Sequence, residues 1–185
     1  MIITDRMSAR MDGPFCVFLI GMRFNRLWKI HQWLPVTLDM PRMLAELERR
    51  PELGFLGGHS WFGRTTIMLQ YWRSFEALTR YARQPDLQHL PAWGRFRQRV
   101  GHSGDVGIWH ETYRVSEGQY ESIYHHMPPF GLGKVGTLVP SIGRHETAAQ
   151  RMNVEPAAQP IQTPMDIGEG KGDPGDLGGI GSAGG

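Results

Sequence analysis

The residue types best suited to chemistry are concentrated at positions 107–115, GIWHETYRV, where His110 and Glu111 are adjacent. An imidazole can act as a general base near neutral pH, and burial in an apolar pocket raises the pKa of a carboxyl group towards the same range. Neighbouring side chains of a strand point to opposite faces, so the two residues are alternative catalytic candidates and not a pair. The competing interpretation is that both only hydrogen-bond within the sheet or across a dimer.

The orientation of this strand decides which candidate meets a substrate. Strand alternation groups Trp109 and Tyr113 with Glu111, on the face opposite His110. If the aromatic face packs under the helices, His110 is directed towards a chamber between subunits, and this is the orientation that we prefer. The reverse orientation would place Glu111 there, between two aromatic rings.

Other side chains suited to binding a small molecule lie outside that stretch. His59 follows two glycines, which allow a ligand to approach a strand closely, and it shares a strand face with Trp61. Arg64 and Arg73 flank a strand and could hold an anionic group of a substrate. His89 precedes a predicted helix, where it could cap that helix or line a pocket mouth. The candidate substrate-binding residues are His59, Trp61, Trp72, Arg73, His89, Trp109 and Tyr113.

The spacing of metal-ligating residue types does not predict a metal site. Neither H-x-x-x-H nor H-E-x-x-H occurs, and Cys16 is the only cysteine. The GLGKVG stretch at 131–136 has the glycine spacing of a dinucleotide loop, but two prolines precede it and no helical pattern follows. We interpret it as a flexible arm over a partner subunit. We therefore expect no cofactor, with haem on a single axial histidine as the alternative.

The composition argues against several classes of partner. The chain has 185 residues, 20 basic and 18 acidic, so its formal charge of +2 is far from that of a typical nucleic-acid binder. Residues 14–22, PFCVFLIGM, are apolar but too few for a membrane span, which needs ~20. A lone cysteine excludes an intrachain disulfide and is consistent with a reducing compartment. We expect a cytoplasmic protein that contacts neither nucleic acid nor membrane.

The periodicity of apolar residues predicts an alternation of strands and helices. The predicted strands are 15–24, 54–62, 65–72, 105–115 and 119–125. The predicted helical segments are a short helix or turn at 25–35, a helix with an apolar stripe at Met40, Met43, Leu44 and Leu47, a helix capped by Ser74, and a helix from Pro91. This order is that of an α+β, ferredoxin-like split βαβ antiparallel sheet with an added strand.

The composition divides the chain into three regions. Residues 1–13 are predicted to be a flexible N-terminal arm, 14–147 a ferredoxin-like α+β barrel domain, and 148–185 a disordered tail with nine glycines and no aromatic residue. The first strand of the domain is apolar on both faces, although helices cover only one face of such a sheet. We expect a second copy of the chain to cover the other face, in a homodimer.

Four stretches occur in a fixed order: LQYWRSFEALTRYAR, HLPAWGRF, VGIWHETYRV and YESIYHHMPPFGLGK. Together they resemble a family of bacterial and fungal proteins of unknown function, DUF4188, that is labelled monooxygenase-like. The resemblance covers residues 15–139 and implies a dimeric α+β barrel. That class also contains antibiotic-biosynthesis monooxygenases, haem-degrading monooxygenases, chlorite dismutases and haem-containing aldoxime dehydratases. Because these chemistries differ widely, the fold alone specifies no reaction.

The residues and the resemblance together lead to one main hypothesis. It is a monooxygenase-like enzyme that acts on a small, largely apolar organic molecule, with His110 as base. The pocket that we expect is built from Trp61, Trp72, Trp109 and Tyr113. Two alternatives stay open: a haem-dependent dehydratase or oxygenase of the same fold, and a non-catalytic small-molecule-binding or assembly protein.

Overall fold

The computed structural model of the chain describes residues 1–153, except for Gln88 and His102. The strands are β1 (Met7–Arg10), β2 (Phe15–Phe24), β3 (Phe55–Trp61), β4 (Ile67–Trp72), β5 (Val106–Val115) and β6 (Thr137–Pro140). The helices are α1 (Ile30–Arg49), α2 (Phe75–Arg83), α3 (His89–Arg99), α4 (Leu132–Val135) and α5 (Ala148–Arg151). The tail was predicted to be disordered, and from position 154 onwards it lies outside the described residues.

A four-stranded sheet in the order β3-β4-β2-β5 forms the centre of the molecule, and each neighbouring pair is antiparallel. This strand order, with helices after the first and third strands, is the ferredoxin-like arrangement, so the predicted α+β topology is confirmed. The most apolar strand, β2, lies between two others. Its backbone is therefore paired on both sides.

The helices cover one face of this sheet and form its core. Alternate residues of β2 contribute to that core, beginning with Cys16, which is fully buried beside Trp72. Further along β2, Met22 and Phe24 pack against Val36 of α1. Each large apolar side chain that is fully buried in this layer stabilises the fold by roughly 1.5–3 kcal/mol.

Helix α1 differs from the sequence prediction of a turn followed by a shorter helix. It runs for 20 residues and contains Pro35 and Pro41 in its interior. A proline removes one helical hydrogen bond and normally interrupts a helix, which is why the sequence indicated two pieces. Packing of the buried residues Val36, Asp39 and Leu47 maintains the helix through both prolines.

Helix α2 begins where its cap predicted. The Ser74 hydroxyl accepts a hydrogen bond from the Ala77 backbone N–H at 3.2 Å. Two hydrogen bonds lower the pKa of Glu76 in the first turn. The larger effect comes from the backbone N–H of Glu76 itself, and the smaller one from the Ser74 side chain. Both interactions satisfy polar groups that the start of a helix leaves unpaired.

The terminal segments of the domain differ from the predictions made for them. Residues 119–125 do not form the predicted fifth strand of the sheet, and their described strand pairing is an isolated bridge between Tyr124 and Met7. The N-terminal residues expected to form a flexible arm include β1, which pairs with β6 in a separate two-stranded sheet. Ala148–Arg151, placed in the predicted tail, is a short helix capped by Thr147. The pairings of β1 with β6 and of Met7 with Tyr124 join residues far apart in sequence, so no local sequence pattern predicts them.

Candidate functional site

A cavity of about 520 Å³ lies between the helix-covered face of the sheet and helices α1 and α3. Its walls are mostly apolar. The sheet contributes Phe18, Ile20, Met22, Met68, Ile108 and His110, and the helices contribute Val36, Met40, Met43, Leu44, Trp93 and Phe96. Both walls of the cavity are therefore formed by residues of one subunit.

His110 reaches this cavity from β5, at the edge of the sheet. It is paired with Ile20 of β2 and shares that residue's face, so its side chain lies on the helix-covered side. The imidazole ring lies 5.8 Å from the Phe18 ring, measured between centroids. His110 is exposed, because no further strand lies beyond β5 on this side. The orientation is thus the reverse of the preferred expectation, which directed His110 to a chamber between subunits.

Among the described lining residues, Asp39 is the other side chain that carries a carboxyl or imidazole group. Asp39 is buried on α1, and Arg95 of α3 donates to both of its oxygens, at 2.8 and 3.2 Å. Arg42 donates a further hydrogen bond to the carboxylate at 3.2 Å. These bonds tie α1 to α3 and occupy the carboxylate. His110 is left as the better placed proton acceptor.

Glu111 lies on the open face, opposite His110. The Tyr113 hydroxyl donates a hydrogen bond to its carboxylate at 2.5 Å, and this bond is the main cause of the raised pKa of Tyr113. Trp109 lies on the same face, where its indole N–H donates to the Thr66 carbonyl at 3.3 Å. The three side chains are therefore brought together, but away from the cavity.

The close approach of Trp109 requires the glycine at position 21. A Cβ atom on Gly21 would lie 2.0 Å from the Thr66 carbonyl oxygen and 2.7 Å from the Trp109 indole nitrogen. Such distances are well below van der Waals contact, so any side chain at position 21 would displace the indole. Gly21 thus permits the packing of β2, β4 and β5 on the open face.

The remaining candidate residues are dispersed. Trp72 is fully buried in the core, where its indole N–H donates to the Gln70 side-chain oxygen at 2.9 Å. Arg73 is exposed directly after β4, and His89 is the first residue of α3. Of the four aromatic residues expected to build the pocket, only Trp61 lines the cavity.

His59 belongs to an aromatic cluster outside the cavity. Its ring lies 4.5 Å from that of Trp61 and 4.9 Å from that of Phe130, between centroids. Phe130 comes from the segment that the sequence suggested would pack over a partner. That segment lies on its own subunit, where Gly133 donates its backbone N–H to the Tyr124 hydroxyl at 3.0 Å.

The helical side of the site was not predicted from the sequence. Met40, Met43 and Leu44 were predicted as a core stripe, and they do lie on one helix face, but that face lines a cavity. Met22 and Met68 add two more flexible thioethers, which adapt to ligands of different shapes. The concentration of methionines on apolar faces was the available signal.

No metal site is evident in the part of the chain that the structure describes. There, no three His, Cys, Asp or Glu side chains are grouped as metal ligands would be. None of the described helices is both long enough and apolar enough to cross a membrane.

Comparison with known proteins identifies the family. A family model described as monooxygenase af470-like matches residues 15–132, which contain the whole sheet and both walls of the cavity. The chain belongs to the monooxygenase af470-like family. Monooxygenase af470 of Aspergillus fumigatus is 34% identical to it over 133 residues, which are 66% of this chain and 46% of that protein. The chain therefore spans less than half the length of this relative.

Solved structures confirm the fold class. An aldoxime dehydratase crystallised with butyraldoxime aligns with a TM-score of 0.60 at 14% identity, over 72% of this chain and 41% of the dehydratase. A second aldoxime dehydratase structure aligns with a TM-score of 0.55 at 16% identity, over 80% of this chain and 43% of its own. These similarities confirm the α+β fold with an antiparallel sheet that was predicted from the sequence. At such low identities they concern the fold and not the reaction.

Proposed function

We propose that this member of the af470-like family is a monooxygenase that binds a small, largely apolar organic molecule in the cavity beneath α1 and α3. The observation that carries the proposal is the position of the His110 imidazole on a mostly apolar wall. His110 is its general base. A cavity of about 520 Å³ is within the range that small-molecule sites occupy.

The apolar walls supply the conditions that such a reaction needs. A ligand that fills the cavity removes water from the imidazole and from the reacting carbon, so charge that develops there is not stabilised by solvent. The substrate must then carry its own activation, as a methylene group made acidic by a neighbouring carbonyl. The protein contributes position, exclusion of water and one base.

The proposed reaction balances without an additional reductant. His110 takes a proton from the methylene carbon, and the resulting carbanion transfers electrons to O₂ as a carbon–oxygen bond forms. The protonated His110 returns its proton to the peroxide anion, and the resulting hydroperoxide loses water and leaves a carbonyl group. The methylene carbon is oxidised, one oxygen atom enters the product, and the other leaves as water.

The described cavity does not fit haem well. His110 could act as an axial ligand, since an imidazole is a common haem ligand. The propionate groups, however, need cationic partners, and no lysine or arginine is present among the described lining residues. The charged residue of that lining is the carboxylate of Asp39. We therefore assign His110 to proton transfer.

A homodimer built on the open face is part of the proposal. Apolar side chains of β2 and β4, such as Leu19 and Leu69, are only half-buried on that face. The chain's own segment covers another part, where the Tyr120 ring lies 5.1 Å from that of Phe15. A second copy would cover the remainder. A cytoplasmic location suits the single, buried thiol of Cys16.

Oxygen consumption with anthrone tests the proposed reaction. Anthrone is a flat, apolar ketone with one acidic methylene group, and its product would be anthraquinone with release of water. We expect the purified protein to accelerate oxygen uptake and quinone formation above the rate in buffer. His110→Ala should lower the accelerated rate by about a hundredfold or more, because general-base catalysis contributes that much.

The matched control is His31→Ala, which removes an exposed histidine from α1 and should leave the rate unchanged. Equal rates for the wild type and His110→Ala would refute the assignment of the base. Tight binding of anthrone without oxygen uptake would favour the non-catalytic alternative.

A further inference from the structure

We propose that the mouth of the cavity docks on the surface of an anionic lipid bilayer. The docking surface is an exposed apolar strip formed by Leu27, Trp28, Ile30, Leu34, Leu38 and Phe62. Trp28 and Phe62 are 75% and 80% exposed, values that large aromatic side chains rarely reach in a folded protein. A contiguous exposed apolar patch of this kind marks an interaction site.

The strip is continuous with the cavity. Ile30, Leu34 and Leu38 follow one another at intervals of four residues along α1, so they project from one face of the helix. Leu38 is both 50% exposed and part of the cavity lining, and Phe62 lines the cavity from the end of β3. An apolar molecule that leaves the strip therefore meets the cavity directly.

Hydrogen bonds hold the first part of the strip in position. The buried carboxylate of Asp105 accepts from Arg26 at 2.9 Å and from Lys29 at 2.8 Å, on the two sides of the turn that carries Leu27. The Trp33 indole N–H donates to the Leu27 carbonyl at 2.9 Å. The turn is thus anchored from both sides while its apolar side chains are directed into solvent.

The β3–β4 connection lies at the same end of the sheet as this turn. The Phe24 backbone N–H donates to the Arg64 carbonyl at 2.9 Å, and the Arg23 guanidinium donates to the Thr65 hydroxyl at 2.8 Å. These bonds join the last residues of β2 to the residues that follow Phe62. Both connections, and the exposed aromatic residue that each carries, therefore lie at one end of the sheet.

The charges around the strip favour an anionic surface. Arg23, Arg42 and Arg64 are exposed in these elements. Asp39 and Asp105 are buried in the same elements, and each is paired with two cations, Arg42 being one of those of Asp39, so the charge of these groups together is positive. Exposed tryptophan and leucine bordered by arginine are typical of segments that lie in a membrane interface. Each cation near an anionic bilayer adds about 1 kcal/mol to the free energy of binding.

This surface would supply the cavity with apolar molecules dissolved in the bilayer, an interpretation that rests on the proposed function. The protein would lie on the membrane without crossing it. It departs from the sequence-based expectation of no membrane contact. That expectation came from a search for a long apolar span, and exposure of individual side chains is not visible in a sequence.

Co-sedimentation of the full chain with lipid vesicles tests the proposal. Vesicles of equal parts phosphatidylcholine and phosphatidylserine should carry the protein down, and added salt or pure phosphatidylcholine should weaken binding. Trp28→Ser and, separately, Leu34→Ser should each reduce vesicle binding by about tenfold, because each removes one large apolar side chain from the contact. Brominated lipids should quench tryptophan fluorescence of the wild type more than that of Trp28→Ser.

Ile142→Ser is the matched control, since Ile142 is 71% exposed but lies after β6, outside the strip. It should bind vesicles as the wild type does. His110→Ala should also bind normally, so a failure of the proposed reaction would leave this result intact. The proposal is overturned if neither vesicle binds the protein, or if Trp28→Ser binds equally well. It is also overturned if the strip instead mediates self-association that Trp28→Ser abolishes in sedimentation velocity.

Discussion

Successive side chains of each central strand point alternately to the helix-covered face and to the open face of the sheet. The contrast between the two faces is clearest in β5. Ile108 and His110 lie under the helices and line the cavity, whereas Glu111 and Tyr113 hydrogen-bond to each other on the open face. A shift of one residue thus separates a candidate base from a structural carboxylate. The chemical type of a residue was a poorer guide to its role than the face on which it lies.

The two faces also differ in what completes them. The covered face is closed by α1 and α3 of the same subunit, which leave a cavity between them and the sheet. The open face is covered in part by the segment that carries Tyr120 and Phe130, and its remaining apolar residues need a partner. We therefore expect substitutions on the covered face to alter core stability and ligand binding, and those on the open face to alter assembly.

The largest expected difference is in stability. Trp72→Ala should lower the free energy of unfolding by about 3–5 kcal/mol, because it leaves a large hole in the covered core. Tyr113→Ala, at a side chain that is 50% exposed on the open face, should cost less than about 1 kcal/mol. Urea denaturation followed by circular dichroism measures both values. Similar losses would show that the faces are not distinguished by burial.

Assembly should respond to a charge on the open face. Leu19→Arg places an unpaired cation where the second copy is proposed to pack, and its burial would cost several kcal/mol. Sedimentation equilibrium at micromolar concentration should then show a folded monomer in place of a dimer. Thr112→Arg, on the other face and at the exposed end of β5, should leave the dimer intact. A monomeric wild type would contradict the proposed role of the open face.

Ligand binding should respond to a bulky residue on the covered face. Ile108→Trp fills part of the cavity, so calorimetric titration with anthrone should show binding weakened by about tenfold or more. Glu111→Trp adds the same side chain to the open face and should change the dissociation constant by less than about twofold. Equal effects of the two substitutions would place the ligand elsewhere.

The last expected effect is a loss of stability at alkaline pH, caused by Tyr71 on the open face. Burial raises the pKa of Tyr71 to about 12, above the value of about 10 for an unfolded chain. The folded state therefore holds the phenolic proton more tightly, and its stability should fall as the pH rises from about 10 to about 12. Tyr71→Phe should make that decline shallower in urea titrations at each pH. An unchanged slope would exclude Tyr71 as its source.

Much of the architecture could be predicted from local patterns. The hairpin of β3 and β4, the Ser74 cap and the strand at β5 agree with the sequence prediction, because each depends on residues close together in the chain. The interior prolines of α1 misled that prediction, since tertiary packing compensates for the hydrogen bonds that they remove. The prediction for residues 119–125 was wrong in the opposite sense. These residues are typical of a strand, but they do not pair with the central sheet.

The sequence by itself determined the order of the four central strands and the separation of His110 from Glu111 onto opposite faces, since these follow from periodicity. Only the tertiary structure decided which face the helices cover. Both faces of β2 are apolar, so either orientation buries a comparable surface, and the sequence pattern is nearly symmetric between them. The pairing of Met7 with Pro140 was equally undetermined, because it depends on where the folded domain brings its two ends.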